Sequence, residues 1–225
     1  TGRRWRKELA SRLRISYYEV ESDAVVPIEA VSEKEEYSAG TLRPKLQRRL
    51  FQFLRPLSQI DPLHRFQGID HGGGEQGGDG LVSEDPQDVD GLISRLELDD
   101  SVAPVDGLRG GEDAAEELLS SFIEEKLAYF DELRNDPAVD YTSGLSPYLH
   151  FGQISPLRIA LAAMEREDLE TEGFLEELVV RRELSFNFTW YDDQYDSLEC
   201  LPRWARESLE VHEQDFRNPS YSLKQ

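Results

Sequence analysis

The sequence predicts a mostly α-helical α+β chain. Its expected parts are the C-terminal part of an α/β (Rossmann-like) domain over residues 1–65, an acidic, glycine-rich interdomain linker over residues 66–111, and the N-terminal part of an all-helical domain over residues 112–225. Three observations lead there. The first 65 residues read helix, strand, helix, as at the end of an α/β domain. The middle stretch trades apolar residues for glycine and acid. After it, every apolar stripe has helical spacing.

Trp5, Leu9 and Leu13, at i, i+4 and i+8, predict a first helix. Ile15 to Val20 and Ala24 to Val26 are β-branched and aromatic, which predicts extended structure. Thr41 to Leu57 carries a helical stripe of Leu42, Leu46, Leu50, Phe53 and Leu54, crossed by Arg43, Lys45, Arg48, Arg49 and Arg55. Seven glycines between Gly68 and Gly80 leave too little apolar surface to offset backbone ordering, so a flexible linker is expected. Within it, Ile93, Leu96 and Leu98 predict a short helical turn.

Past the linker, Glu112 and Asp113 open a helix at the positive end of its dipole, and Leu118, Leu119, Phe122, Ile123, Leu127 and Phe130 form its buried face. Asn135-Asp136-Pro137 stops it. Ser155-Pro156, an N-cap followed by proline at the first helical position, opens a helix from Leu157 to Glu167. Phe174 to Trp190 reads as one long helix, with Glu177 and Arg181 four residues apart on one face. Leu201-Pro202 opens a last helix with Trp204, Leu209 and His212 turned inward. His150, Met164 and Trp190 are expected in the core.

Charge narrows the function classes. Lys+Arg 25 against Asp+Glu 46 gives −21, distributed as +4 over residues 1–65, −11 over 66–113 and −14 over 114–225. Only five of the cations are lysines. This balance suits a salt-adapted, halophilic source, where ionic strength screens self-repulsion. Such a chain binds nucleic acid poorly in dilute buffer unless it carries a local basic face. Hydrophobic residues, at 38%, suffice for a core, and no apolar run approaches the ~20 residues of a membrane helix. Cys200 is the lone cysteine, which excludes an internal disulfide and a multi-cysteine zinc site. His64, His71 and His212 lack ligand spacing, so no metal is expected. The start, TGRRWRKELA, lacks a signal core, which points to the cytoplasm, and Thr1 and Gln225 suggest a piece of a longer protein.

The stretch that carries chemistry is TSGLSPYLHFGQISP, Thr142 to Pro156. Thr142, Ser143 and Ser146 bracket Gly144 just ahead of a helix start. Hydroxyls, free N–H groups and a glycine allowing close approach suit a phosphate. The plain alternative is a Ser/Thr helix cap.

With that stretch, SEKEEYSAGTLRPK (32–45), RNDP (134–137), FLEELVVRREL (174–184), YDSLE (195–199) and WARESL (204–209) follow in an order and spacing that resemble the DNA photolyase/cryptochrome flavoproteins, specifically the class II cyclobutane pyrimidine dimer photolyases. The resemblance implies an α/β domain followed by a helical domain holding FAD, active in its reduced form. Light then drives an electron to a pyrimidine dimer in DNA and the dimer splits, with the cofactor carrying the hard step. It implies that Thr142, Ser143, Gly144, Leu145 and Ser146 cradle the FAD phosphates, that Glu177 faces the lesion, and that Arg134, Arg181 and Arg182 meet DNA. The family tyrosine four residues before the arginine falls on Phe130, with Tyr129 beside it: either the hydroxyl contact is lost or Tyr129 supplies it. Asn187 and Trp190 are further candidates for the DNA side or the flavin wall. An antenna chromophore would sit before Thr1 and the electron-passing tryptophans after Gln225. A monomer acting on damaged DNA, without membrane or metal, is the expected form. The alternatives are a cryptochrome-like photoreceptor and a non-catalytic acidic helical fragment. The dimer-repair reading requires that Ser146 and Glu177 share one cavity.

Overall fold

Leu42, Leu46, Leu119, Phe122, Leu127, Leu145 and Ile159 are all but sealed from solvent, and the helices that carry them are arranged around that apolar centre. The computed structural model describes residues 2–56, 88–96, 98, 101–103 and 105–216. Contacts divide the chain into two compact units, Thr1–Pro56 with Gly110–Gln225, and Leu57–Arg109. The predicted glycine-rich run 68–80, and with it His64 and His71, lies outside the described residues.

In the first unit, α1 (Gly2–Arg12) is followed by α2 (Ile28–Val31) and α3 (Ala39–Phe53). Helix α3 begins two residues before the predicted stripe and buries Leu42 and Leu46, with Leu50, Phe53 and Leu54 packed alongside. In the second unit, α4 (Val89–Ser94) is capped by Asp88, whose side chain accepts the Gly91 N–H at 3.0 Å. Back in the first unit, α5 (Glu112–Ser121) runs into a π-helical turn (Phe122–Lys126), a 3-10 turn (Leu127–Tyr129) and α6 (Phe130–Leu133). Next come α7 (Ser146–His150) and α8 (Pro156–Met164), the latter capped as predicted by Ser155, whose hydroxyl accepts the Leu157 N–H at 3.2 Å. The long helix is α9 (Glu172–Leu175), a π-helical turn (Glu176–Arg181) and α10 (Arg182–Tyr191), with right-handed helical backbone at each junction. Helix α11 (Arg203–Val211) ends the described chain. Phe122, Phe130 and Phe174 pack edge-on or tilted, with centroids 4.8–5.9 Å apart, and weld the π-helical turn after α5 to α6 and α9.

The mostly helical expectation holds, but no strand occurs among the described residues. Ile15, Tyr18 and Val20 are exposed, and the backbone bends through Ala24 to Val26 where a strand was expected. The reason is local. The N–H groups of Val25 and Val26 donate to the Glu183 carboxylate at 2.7 and 3.1 Å, which satisfies them without a sheet.

Other expectations are corrected. Trp204 is 73% exposed, Leu209 and His212 also face outward, and α11 buries none of its residues. His212 instead pairs with Asp215 at 2.6 Å. His150 and Met164 are exposed as well. Asn187 is buried but faces the residues before α3: it accepts the Glu36 N–H at 2.6 Å and donates to the Lys34 carbonyl at 3.1 Å. Trp190 lies under the Arg6 guanidinium, 5.5 Å from the ring centroid.

Candidate functional site

The loop from Asp140 to Ser146 is pinned at both ends. Lys126 donates to Asp140 Oδ2 at 2.9 Å, and Asp140 Oδ1 accepts both the Thr142 N–H (3.3 Å) and the Thr142 hydroxyl (2.9 Å). Hydrogen bonds from Lys126 and Thr142 hold the Asp140 carboxyl below its ordinary range. Ser143 Oγ accepts the Leu145 N–H at 3.4 Å, and Leu145 is buried in the core. Between them Gly144 takes φ +68°, a conformation that favours glycine, and a Cβ there would sit 3.4 Å from Leu118.

This loop forms one wall of a cleft of about 840 Å³. Thr142, Ser143 and Ser146 line it on the loop side, and Glu177, Arg181 and Arg182 line it from the long helix. Phe130 and Arg134 complete the floor. Ser146 and Glu177 therefore share one cavity. The charged lining is three arginines to one glutamate, a local basic face in a chain of −21.

Each charged group is held. Arg134 donates to Asp131 at 2.8 Å, approaches Glu177 Oε1 at 3.5 Å and lies 5.1 Å from the Phe130 ring centroid. Gly173 allows this arrangement, since a Cβ there would come within 1.8 Å of the Asp131 carboxylate. Arg181 meets Glu176 at 3.3 Å, so the predicted i,i+4 pairing with Glu177 gives way to an i,i+5 pair. The π-helical turn explains this, because its repeat aligns residues five apart. Glu176 is also gripped by Arg43 through two bonds of 3.0 and 2.6 Å, which lower its carboxyl pKa. Arg182 donates to the Asp23 carbonyl and stacks on Phe186 at 4.6 Å, and burial depresses its pKa.

Not all expected residues meet. Tyr129 does not line the cleft; it is 52% exposed, its ring edge-on to Tyr141 at 5.7 Å. Phe130 is buried against Phe122 and Phe174, with part of its ring on the cleft. Gly144 and Leu145 shape the loop from behind rather than line the cleft.

Two residues that sequence reasoning missed support the site from below. Glu183 is 4% exposed, and its Oε2 has no hydrogen-bond partner. Burial raises its pKa to about 7 against the opposing pull of the Val26 and Val25 N–H groups. Glu36 accepts from Ser32 at 2.7 Å and pairs with Lys45. Burial would raise its pKa, but these bonds outweigh it and hold the value at about 2. The available signal for Glu183 was its place at i+4 from buried Val179, a polar residue on an apolar line. Among the described residues no group of three or more His, Cys, Asp or Glu is arranged to hold a metal, and no helix is long and apolar enough to cross a membrane.

As a donor set, the Ser143 and Ser146 hydroxyls, the open backbone at Gly144 and three arginines fit a diphosphate-bearing cofactor. The Thr142 hydroxyl is already committed to Asp140 and fits that role less well.

No protein-family model matches the chain. It is 43% identical over 221 residues to the deoxyribodipyrimidine photo-lyase of Methanothermobacter thermautotrophicus, an alignment covering 98% of this chain and 46% of that protein. Proteins of the same name from Potorous tridactylus and Arabidopsis thaliana are 35% and 36% identical, over 98% and 99% of this chain and 40% and 45% of theirs. The chain thus spans under half the length of the curated relatives it matches. Similarity along nearly all of the chain supports membership of the photolyase family.

Proposed function

We propose that this chain is the central piece of a photolyase, of class II, which uses light and reduced FAD to split cyclobutane pyrimidine dimers in DNA. In this reading residues 112–225 begin the FAD-binding helical domain, residues 1–65 close the preceding α/β domain, and residues 66–111 link them. The observation that carries the reading is the cleft that joins Ser143 and Ser146 to Glu177, Arg134 and Arg181.

When bound, FAD supplies the electron that the dimer takes up and later returns. The chain's own residues bind and orient. Ser143 and Ser146 donate to the diphosphate, and Gly144 holds the turn that presents them. Glu177 offers a carboxyl group to the lesion, where a hydrogen bond to a thymine carbonyl stabilises developing negative charge. Arg134, resting between Asp131 and Glu177, and Arg181, resting on Glu176, are placed to exchange these carboxylates for DNA phosphates. A flipped dimer costs least to extrude because its stacking is already impaired.

The test uses the longer protein of which this chain is proposed to be a piece. That protein is reconstituted with FAD, reduced, mixed with an oligonucleotide holding one thymine dimer, and lit with blue light. Dimer loss is expected, together with flavin absorbance that stays with the protein on gel filtration. Full-length protein that retains no flavin and repairs no dimer overturns the reading.

A further inference from the structure

Residues 37–60 hold five cations, Arg43, Lys45, Arg48, Arg49 and Arg55, and no carboxylate, in a chain where about one residue in five is acidic. Two of the five are spent internally: Arg43 on Glu176 and Lys45 on Glu36. The other three are exposed. Among the described residues none of the three has a carboxylate partner, and Arg48 only donates to the Pro44 carbonyl of its own helix at 3.0 Å. Elsewhere arginines are usually neutralised, as in Arg6–Glu19, Arg134–Asp131, Arg158–Glu116, Arg166–Asp168 and Arg203–Glu207. Arg48 and Gln52, one turn apart, are exposed on α3, away from the buried Leu42 and Leu46, and Arg55 is exposed just past the helix end. Exposed cations without local carboxylates are unusual in a chain with strong acidic self-repulsion, and they complement a polyanion.

We infer that the outward face of α3 and the turn after it is a contact surface for the phosphate backbone of duplex DNA. This extends the photolyase reading to a second patch beyond the cleft. The cleft runs into a groove that reaches α3, although Arg48, Arg49 and Arg55 themselves do not line it. This groove of about 640 Å³ lies between α3 and the long helix, lined by Arg43 and Gln47 on one side and by Arg134 and Arg181 on the other. Arg134, Glu177 and Arg181 line both groove and cleft. Arg48 to Phe53, the helical part of this surface, covers about 7.5 Å of rise. A duplex presents about four phosphates over that distance, counting both strands. Contacts of this kind set register and affinity, and carry no information about the lesion.

The test uses the 225-residue chain and its triple variant R48Q/R49Q/R55Q. Binding to a labelled undamaged duplex, and to the same duplex with one thymine dimer, is followed by anisotropy across a salt series. The slope of log affinity against log salt should fall by about 2 to 3 in the triple variant for both duplexes. The preference for the dimer should not change, and R48K/R49K/R55K should keep the slope. An unchanged slope overturns the inference, as does an unmodified chain that binds neither duplex in low salt. If both duplexes bind equally yet depend on the three arginines, the surface stands and the dimer-specific reading of the cleft falls. If dimer preference persists while the slope does not move, the surface falls and that reading stands.

Discussion

Arg181 sits on Glu176, Nε to Oε1 at 3.3 Å, rather than on Glu177 four residues before it. The same carboxylate takes two bonds from Arg43, so one side chain ties α3 to the π-helical turn and holds Arg181 at the edge of the cleft. Glu176→Gln should lower the melting temperature by a few degrees. Arg43→Gln should lower it similarly, and the double variant should be little worse than either. Thermal denaturation of the four proteins checks this; additive losses would mean the two residues act separately.

Glu177 lines the cleft and, among the described residues, Arg134 is the cation near its carboxylate, at 3.5 Å. Glu177→Gln should slow dimer splitting about tenfold or more, in line with the loss of a group acting where charge develops. Flavin retention should be unchanged, because the proposed function assigns this carboxyl to the lesion and not to the cofactor. Dimer loss per absorbed photon, measured beside flavin content, separates the two effects.

Gly144 holds φ +68° within the loop that we assign to the diphosphate. Gly144→Ala should destabilise the fold by about 1 kcal/mol, the cost of a left-handed backbone at a residue with a Cβ. It should also weaken FAD more than riboflavin, since only FAD carries the diphosphate. Denaturant midpoints and the ratio of the two dissociation constants report these outcomes.

Two buried carboxyls act on stability in opposite directions. Glu183, raised to about 7, stays protonated in the fold where the unfolded chain has ionised, so its contribution is complete at acid pH and is lost as pH rises from about 4.5 through 7. The swing is on the order of 3 kcal/mol. Glu36, held at about 2, contributes above its ordinary value and loses that contribution as pH falls from about 4.5 towards 2. Stability should therefore peak near pH 4.5 to 5. Glu183→Gln should flatten the neutral limb while leaving the acid limb. Urea midpoints across pH 2 to 8 test this directly.

Much of the helical layout was legible from apolar spacing. Leu42 and Leu46, Leu119 and Phe122, and the Ser155-Pro156 start all behave as one-dimensional periodicity requires. Spacing failed where partners lie far apart along the chain. Val25 and Val26 look like strand, yet their N–H groups end on a carboxylate some 157 residues away. Trp204 and Leu209 have the pattern of a buried face, yet no described element covers them. Within the cleft, Ser143 and Ser146 stood out by local motif, whereas Glu177 stood out only through the family resemblance. The Glu176–Arg181 contact stood out by neither, because a π-helical turn changes which residues align and ordinary helical counting assumes that it does not occur.

Val25, Val26, Lys34 and Glu36 are all fastened to Glu183 or Asn187 of α10, so the polypeptide on either side of residues 57–109 meets in a single core. That stretch leaves and re-enters the same folded body, and closing such an excursion costs free energy only as the logarithm of its length. Changes in its length therefore cost little at the point where the first unit closes on itself.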